Sequence, residues 1–317
     1  MRRRWQPRRV WRRFMFLGLR SLLRTAGFGR AHSIGTLLGE IQFRLDGRLR
    51  NSLQRDIAVA LGRRSDDPSV AVLLREAYRV NNAAVLEIMS MLDRRQDTSR
   101  LIARCELDGV EHLRAAMAQG RGAMLLATHM GNMALPLIKL VEAGWHVSVV
   151  YRRAKMMSSN FLQAGLEQYG IQGILANSGI QAYGQILSAL KQGRIVLVML
   201  DQGSSNARGV MQNFLGKAMP MPAGPAQLIR VSRAPVLPLV MTRAGPNWRF
   251  TIEPPVPFGS GTVESDVALL SHLTEQQILR SPQFWSWHHR RWSQLPAACA
   301  PASTGHAGDR DSTPDGG

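Results

Sequence analysis

The amino-acid sequence predicts an α/β fold, with a mostly parallel sheet flanked by helices and an N-terminal helical arm in front of it. From residue 101 onward, short apolar runs alternate with segments whose apolar residues recur at threes and fours. Alternation of strand and helix is typical of a mostly parallel sheet with helices on its faces. Between residues 34 and about 92 the apolar spacing is helical, which predicts the arm. A chain of 317 residues, 45% of them hydrophobic, can bury a core of this size.

Residues 1–33 form a strongly basic segment that also carries many aromatic and aliphatic side chains. Arginines recur from Arg2 onward, and the first acidic residue is Glu40. The apolar run at 14–19 is far shorter than the ~20 residues that cross a bilayer, and it is too short and too interrupted for a secretory signal. We therefore expect an amphipathic segment lying on an anionic membrane surface. A transit peptide and a basic arm for nucleic acid are the alternatives.

Residues 34–100 are predicted to form the helical arm. Apolar residues recur at threes and fours from 37 to 92, and the opposite faces are rich in arginine. A turn at 63–68 divides the stretch, and either Ser65 or Asp67 is suited to cap the helix that follows.

Residues 101–294 are predicted to form the α/β domain, and residues 295–317, rich in Pro, Ala, Ser, Gly and Asp, a disordered tail. The predicted strands are 103–107 (at an edge), 123–127, 147–151, 174–175, 195–200, 236–242 and 248–252, and the predicted helices are 109–119, 133–143, 160–169, 181–191 and 223–232.

The strand at 123–127 ends in a polar turn that carries the first candidate for chemistry. Thr128 and His129 follow the strand, Gly131 and Asn132 form the bend, and a helix resumes after them. Ligands commonly bind where the carboxyl end of a strand faces a helix N-terminus, because free backbone N–H groups and the helix dipole point there. His129 is therefore a candidate base. The alternative is a packing histidine, since the chain has eight.

The strand at 147–151 delivers a second candidate, Arg152. Its planar guanidinium fits a phosphate or carboxylate, so a strand-end arginine near a base is a plausible anion anchor. A solvated basic loop is the alternative.

The strand at 195–200 ends in Asp201 and Gln202. A carboxylate carried out of an apolar strand can pair with Arg152 or with His129, or it can cap the turn in which it lies. The sequence alone leaves these three roles open.

The charge of the chain restricts its partners. A formal charge of +18 and a pI near 11.4 favour binding to polyanions, namely nucleic acid, anionic lipid or an acidic carrier protein. Two cysteines, Cys105 and Cys299, have no metal-binding or redox spacing, and no metal site is predicted.

Several of these segments resemble one protein family. The segment His129-Met-Gly-Asn-Met-Ala134 is similar to the His-x-Gly-Asn-Trp-Glu signature of the bacterial lipid A late acyltransferase family, the Kdo-dependent lauroyl/myristoyl transferase type within the glycerolipid acyltransferase superfamily. The similarity continues in order over residues 34–293. It includes the helical segment ending at 87–91, Tyr151-Arg152, Asp201-Gln202, the Phe214-Leu-Gly segment that ends in Gly224-Pro225, Ala234-Pro-Val-Leu-Pro238, and Phe284-Trp-Ser-Trp-His-His-Arg-Arg-Trp292.

The resemblance implies a membrane-associated acyltransferase at the cytoplasmic face of the bacterial inner membrane. A fatty acyl chain would move from acyl carrier protein or coenzyme A, with no further cofactor, to a hydroxyl or amine of a lipid A precursor or a lysophospholipid-like lipid. His129 would be the general base, and the substrate-binding residues would be Gly131, Asn132, Arg152 and Gln202. Backbone N–H groups after Gly131, or Arg152, would meet the oxyanion, and the closing 284–292 cluster would be structural. Anionic lipid would be a partner and nucleic acid would not.

The chain departs from the family signature at the acid that orients the base, because Ala134 stands there. Three hypotheses follow: His129 works with only a backbone carbonyl to orient it, Asp201 has taken over as the second catalytic residue, or the protein binds acyl donors or lipids without turnover. A basic nucleic-acid-binding protein is the rival from another class. It predicts affinity that falls steeply with salt and no dependence on a thioester.

Overall fold

A computed structural model defines the fold, and it describes residues 7–93, 97–152, 159–202, 209–243 and 247–289. The predicted fold class is confirmed: a mostly parallel seven-stranded sheet is flanked by helices and preceded by a helical arm. The first six residues and the predicted tail at 295–317 lie outside the described ranges.

The arm consists of α1 (Pro7–Ala26), α2 (Ala31–Leu45), α3 (Gly47–Ala60) and α4 (Pro68–Met91). Helices α2 and α4 cross at short range, since a Cβ on Gly35 or Gly39 would overlap the α4 backbone. Of the two predicted caps, Asp67 is the one that caps α4, and its side chain accepts from the Ser69 N–H at 2.8 Å.

Helix α1 is fastened to the rest of the protein through one buried carboxylate. The Nε atoms of Arg20 and Arg24 each donate to Asp93 Oδ2 at 2.8 Å, and only 3% of the Asp93 side chain is exposed. Burial by itself would raise the pKa of Asp93, but the hydrogen bonds from both arginines hold that pKa well below its ordinary value. Phe16 and Leu23 of α1 are buried in an apolar cluster with α2 and α4. Among the described helices, none is both long and apolar enough to cross a bilayer.

The strands are β1 (Cys105–Asp108), β2 (Ala123–Ala127), β3 (Val147–Tyr151), β4 (Gln172–Leu175), β5 (Ile195–Met199), β6 (Val210–Phe214), β7 (Lys217–Met221), β8 (Val236–Arg243) and β9 (Trp248–Ile252). The large sheet has the order β1-β9-β8-β2-β5-β3-β4, and β6 and β7 form a separate hairpin. The β8–β9 pair is antiparallel and the other pairs of the large sheet are parallel. All five residues of the central strand β2 are buried, as its continuous apolar run predicts.

The remaining helices are α5 (Ser99–Ile102), α6 (Val110–Met117), α7 (Ala134–Glu142), α8 (Ser159–Glu167), α9 (Ile180–Lys191), α10 (Gly224–Ser232) and α11 (Val263–Arg280). The strands and helices predicted for the α/β domain are confirmed, with ends within two residues of the expected positions, and β1 lies at the predicted edge. The β6–β7 hairpin and α11 were not predicted.

Helix α11 lacked a readable apolar stripe because much of its buried face is polar. Asp266, Ser271, Thr274 and Gln277 are all buried on it. Gln277 donates from Nε2 to the carbonyl of Leu126 in β2 at 2.9 Å, so a hydrogen bond accompanies the apolar contacts that hold this helix against the sheet. Periodicity of apolar residues alone cannot find such a helix.

The β6–β7 hairpin turns on an unexpected residue. Leu215 has φ 51° and Gly216 φ 77°, so both central residues lie in the left-handed region that a tight hairpin turn of this kind requires. Asn-Gly or Asp-Gly is the usual signal for such a turn, and a buried leucine in its place conceals it.

Candidate active site

The candidate base and the candidate carboxylate leave the sheet side by side. Strands β2 and β5 are parallel neighbours, with Ala127 paired with Met199. The chain continues from these two residues to His129 and to Asp201, so both side chains lie at the carboxyl ends of these strands. The topology therefore brings together two side chains that are 72 residues apart.

His129 and Asp201 make two hydrogen bonds. His129 Nδ1 lies 2.8 Å from Asp201 Oδ1, and the His129 backbone N–H donates to Asp201 Oδ2 at 3.0 Å. An ionised carboxylate only accepts, so Nδ1 carries the proton and donates it, which leaves the lone pair of the neutral ring on Nε2. The Asp201 side chain is fully buried, whereas 26% of the His129 side chain is exposed. The basic nitrogen, Nε2, therefore lies on a partly exposed ring, and the buried carboxylate of Asp201 holds that ring through Nδ1.

Three N–H groups of the described residues donate to the carboxylate of Asp201. Trp285 Nε1 donates to Oδ2 at 2.7 Å, in addition to the two bonds from His129. Complete burial would raise the pKa of Asp201, but the charge that His129 carries when it is protonated and the hydrogen bonds from His129 and Trp285 outweigh it and hold the pKa far below its ordinary value. Asp201 is therefore ionised at neutral pH and stabilises a positive charge on the imidazole.

Gln202 and His289 cover the opposite side of the ring. Gln202 Nε2 lies 2.9 Å from His129 Nε2, in position to donate to its lone pair, and 3.4 Å from His289 Nε2. The His289 ring stands edge-on to His129 with centroids 4.9 Å apart. Desolvation by the surrounding protein, and then the charge that His129 carries when it is protonated, lower the pKa of His289, so His289 is neutral at neutral pH.

Gly131 makes the turn after His129 possible. Its φ is 54°, and a Cβ at this position would overlap the side chains of Met241 and Trp248. The predicted bend therefore requires glycine both for its backbone angle and for its space.

Asn132 holds this turn from beneath. Its side chain is fully buried, Nδ2 donates to Glu87 Oε2 at 3.2 Å, and Oδ1 accepts from the Ala134 N–H at 3.3 Å. The other oxygen of Glu87 lies 2.9 Å from His32 Nδ1 on α2. The buried side chain of Asn132, a predicted substrate-binding residue, ties the turn to the helical arm, and its role in substrate binding stays a prediction.

An apolar cavity of about 270 Å³ lies beside His129. It extends between α4, α7 and α8 and reaches β3 and β5, so the arm and the sheet both contribute to its walls. The residues that line it are Asn81, Ala84, Val85, Ile88, Leu92, His129, Gly131, Met133, Ala134, Leu137, Val149, Tyr151, Leu162, Leu166, Leu197, Met199, Phe284, Ser286 and His289. Such a slot, mostly apolar with a few polar groups near the base, suits a long apolar chain that ends in a reactive polar group.

Ala134 lines this cavity, whereas Arg152 is adjacent in sequence to a residue that lines it. Ala134, at the position of the family acid, lines the cavity with a methyl group, while Asp201 supplies the carboxylate to the ring. Arg152 is exposed and follows Tyr151, which lines the cavity. In the described ranges, no cluster of His, Cys, Asp and Glu side chains could hold a metal ion.

The closing segment 284–289 belongs to the site, whereas the sequence resemblance assigned it a structural role. Ser286 N–H donates to the His129 carbonyl at 3.0 Å, and Trp285 pairs with Met130 in a short antiparallel bridge. Trp285 and His289 then reach Asp201 and His129 as described above. The only sequence signal for this was the cluster of aromatic and histidine residues itself.

At the carboxyl ends of the central strands β2 and β5, an imidazole bound to a carboxylate faces an apolar cavity. This arrangement defines a class of protein that can remove a proton from a group beside an apolar substrate. Comparison with known families agrees with this class. The model of the family described as bacterial lipid A biosynthesis acyltransferase matches residues 2–294, and the chain belongs to that family.

Individual relatives are more distant. A phosphatidylinositol mannoside acyltransferase from Mycobacterium tuberculosis is 28% identical over 221 residues, which is 69% of this chain and 66% of the relative, just under two thirds of its length. A lipid A biosynthesis lauroyltransferase from Escherichia coli (strain K12) is 23% identical over 299 residues, 91% of this chain and 93% of the relative. A palmitoleoyltransferase of lipid A biosynthesis from the same strain is 23% identical over 202 residues, 62% of this chain and 64% of the relative.

Proposed function

We propose that the protein transfers a fatty acyl chain from an acyl thioester to a hydroxyl or amino group of a lipid acceptor, with His129 as general base and Asp201 as the carboxylate that orients it. Membership of an acyltransferase family supports the reaction type. Relatives named for lauroyl and palmitoleoyl transfer and for phosphatidylinositol mannoside support a fatty donor and a lipid acceptor, of the lipid A precursor or lysophospholipid-like kind.

The observation that carries the proposal is the 2.8 Å contact between His129 Nδ1 and Asp201 Oδ1 beside the apolar cavity. A base needs its proton-accepting nitrogen fixed toward the substrate and its charged form stabilised, and Asp201 provides both. The substitution at Ala134 therefore does not leave the base without an acid. This supports the hypothesis that Asp201 has taken over that role.

The reaction begins when the acceptor hydroxyl replaces the Gln202 amide at His129 Nε2. As the hydroxyl oxygen attacks the thioester carbonyl carbon, its proton passes to Nε2 and the carbonyl π electrons move onto oxygen. Collapse of this intermediate re-forms the carbonyl and breaks the C–S bond, and the departing thiolate takes the proton back from His129. Base catalysis of this kind is worth about 10²–10⁴-fold, and it requires no covalent intermediate with the protein.

The donor is the thioester of acyl carrier protein or of coenzyme A. Both are acidic, and the formal charge of +18 favours their approach. Arg152, an exposed residue next to cavity-lining Tyr151, is suited to bind the phosphate that both donors carry.

Exposed apolar side chains on the arm support docking at a membrane surface. Leu37, Ile41 and Leu45 follow one face of α2 at intervals of four and are 61%, 43% and 80% exposed. Phe14 and Leu17 on α1 are 66% and 46% exposed, in a stretch that has no acidic residue. Apolar side chains among arginines suit an anionic bilayer, here the cytoplasmic face of the inner membrane.

The test is an acyl-transfer assay with C12 to C16 thioesters of acyl carrier protein and of coenzyme A, a lipid A precursor and a lysophospholipid as acceptors, and mass spectrometry of the products. We expect the wild type to transfer and His129→Ala to lose at least about 10²-fold in kcat. The matched control is His272→Ala, at an exposed position of α11, which keeps wild-type activity. If His129→Ala transfers as fast as the wild type, the assignment of the base is wrong.

Two other outcomes identify the rival functions. If the wild type binds thioesters but transfers no acyl chain, the protein is a member of the family that binds lipids without turnover. If the wild type does not bind thioesters but binds generic DNA with an affinity that falls steeply with salt concentration, it is a nucleic-acid-binding protein.

A further inference from the structure

Helix α4 gives the cavity a polar end. Its lining residues Asn81, Ala84, Val85, Ile88 and Leu92 (one residue past its end) recur at threes and fours, so they share one face and extend over about 16 Å. Asn81, at one end of this face, is the polar member, and the other four are apolar. A chain that lies along this face therefore meets a hydrogen-bonding group at one end.

Asn81 lies close to the candidate base through Ser286. The Ser286 hydroxyl donates to Asn81 Oδ1 at 2.6 Å, and the Ser286 backbone N–H donates to the carbonyl of His129 at 3.0 Å. Asn81, Ser286 and His129 also line the same cavity. One residue thus connects the asparagine amide to the base.

The hydrogen bond from Ser286 fixes the direction of the Asn81 amide. Because Oδ1 is engaged by the hydroxyl, the Nδ2 group is turned to the other side, and among the described residues it has no protein acceptor. Asn81 lines the same cavity as the base, and an oriented amide donor in such a cavity is the kind of group that stabilises a developing oxyanion.

We propose that the Asn81 side-chain amide binds the carbonyl oxygen of the acyl thioester and stabilises the oxyanion that forms on it, and that Ser286 holds the amide in place. The inference deepens the proposed acyltransferase function and rests on it. When the acceptor oxygen bonds to the carbonyl carbon, the π electron pair moves to the carbonyl oxygen, and Asn81 Nδ2–H donates to that oxygen until the C–S bond breaks. The acyl chain then extends along the apolar face of α4.

The first test compares Asn81→Ala and Asn81→Asp with the wild type in the acyl-transfer assay. Removing one oxyanion donor typically lowers kcat by about 10²–10³-fold, and we expect that loss with a KM nearly unchanged. The aspartate variant is the isosteric one: it still accepts from Ser286 but presents oxygen in place of Nδ2–H, so it loses as much or more.

The matched control is the next residue. Asn82 donates to Gln42 and to the Tyr78 carbonyl and is absent from the cavity lining, so Asn82→Ala removes an asparagine from the same turn of α4. We expect its kcat to stay within about threefold of the wild type. Equal losses for Asn81→Ala and Asn82→Ala, or wild-type kcat in a folded Asn81→Asp variant, would overturn the inference.

Ser286 is a positioning residue in this scheme, which a double-mutant cycle can show. Ser286→Ala lowers kcat by less than Asn81→Ala does, and the double variant is no slower than Asn81→Ala alone, because Ser286 acts through Asn81. Additive losses would contradict this role.

A binding experiment separates this inference from the acyltransferase proposal. The probes are a long-chain trifluoromethyl ketone, whose hydrate mimics the tetrahedral intermediate, and an alkane of equal length. We expect the wild type to bind the ketone at least tenfold more tightly and Asn81→Ala to lose that preference while its affinity for the alkane is unchanged. If the wild type transfers no acyl chain but shows this Asn81-dependent preference, the acyltransferase proposal is wrong, and the proposal that Asn81 binds a carbonyl oxygen is supported. A preference that survives in Asn81→Ala refutes the carbonyl site.

Discussion

The substitution Asp201→Asn changes the tautomer of His129. Within the described part of the chain, Asp201 Oδ2 accepts two N–H donors, from the His129 backbone and from Trp285, whereas Oδ1 accepts one, from His129 Nδ1. An asparagine satisfies the larger number of donors by placing its oxygen at the Oδ2 position. Its NH2 group then faces Nδ1, which must give up its proton and accept. The proton moves to Nε2, and the nitrogen that faces the substrate is no longer basic.

The expected loss follows from what the tautomer supplies. Base catalysis contributes about 10²–10⁴-fold, and imposing the wrong tautomer in a serine protease triad costs about 10⁴-fold in kcat. We therefore expect Asp201→Asn to lose about 10²–10⁴-fold in kcat, which corresponds to about 3–5.5 kcal/mol of barrier. Steady-state acyl transfer measures the loss, and nitrogen-15 NMR of the imidazole shows directly which ring nitrogen carries the proton.

Trp285→Phe is the control, because it removes one donor to Oδ2 and leaves the Oδ1 contact with Nδ1 in place. It keeps the Nδ1-protonated tautomer and loses much less activity than Asp201→Asn. Thermal unfolding shows that both variants are folded. A folded Asp201→Asn variant with near wild-type kcat, or with the proton still on Nδ1, would refute the reasoning.

Three further predictions concern the cavity, the membrane face and the acid range. Ala84→Leu, which adds bulk to the α4 wall of the cavity, raises KM for a C16 thioester and leaves kcat for a C8 thioester within about threefold, as assays over a series of chain lengths will show. The double substitution Leu37→Ser with Ile41→Ser weakens sedimentation with anionic vesicles by at least about tenfold, since burial of each side chain is worth about 1 kcal/mol or more, whereas Val231→Ser, at an exposed position of α10, does not. Because folding lowers the pKa of Asp93 and of Asp201, each carboxylate contributes stability that is complete above the pKa of an unfolded aspartate, near 3.9, and is lost as the pH falls below it. Between pH 7 and pH 3 we expect each carboxylate to lose about 1 kcal/mol of this stability, measured by urea unfolding at the two pH values. The Asp93→Asn variant should lose about 1 kcal/mol less than the wild type over this range, because it lacks the Asp93 carboxylate.

The order of strands and helices was predictable because most of the elements bury apolar faces. Strand β2 carries a continuous apolar run, α4 has a stripe at threes and fours, and both read directly from the sequence. Helix α11 was missed because Asp266, Thr274 and Gln277 are on its buried side and make hydrogen bonds there. A polar buried face has no signature in apolar periodicity.

The site was predictable only in part, for a different reason. His129 and Asp201 could be placed at strand ends from the local sequence, but which partner Asp201 takes depends on the order of strands, which puts β5 beside β2. The roles of Trp285, Ser286 and Asn81 depend on contacts over 84 and 205 residues of chain. Local propensity carries no information at such separations.

In the membrane docking proposed above, the ion pairs of Arg20 and Arg24 with Asp93 fix the position of α1 relative to the rest of the protein. Arg20 and Arg24 are both paired with that carboxylate, so two of the cations of α1 are already engaged by the protein itself. Phe161 of α8 packs against Phe16 and Arg20, and the next residue, Leu162, lines the cavity. Helix α1 is thus held rigidly against the rest of the protein. A bilayer into which Phe14 and Leu17 insert would therefore also set the orientation of the cavity relative to the lipid.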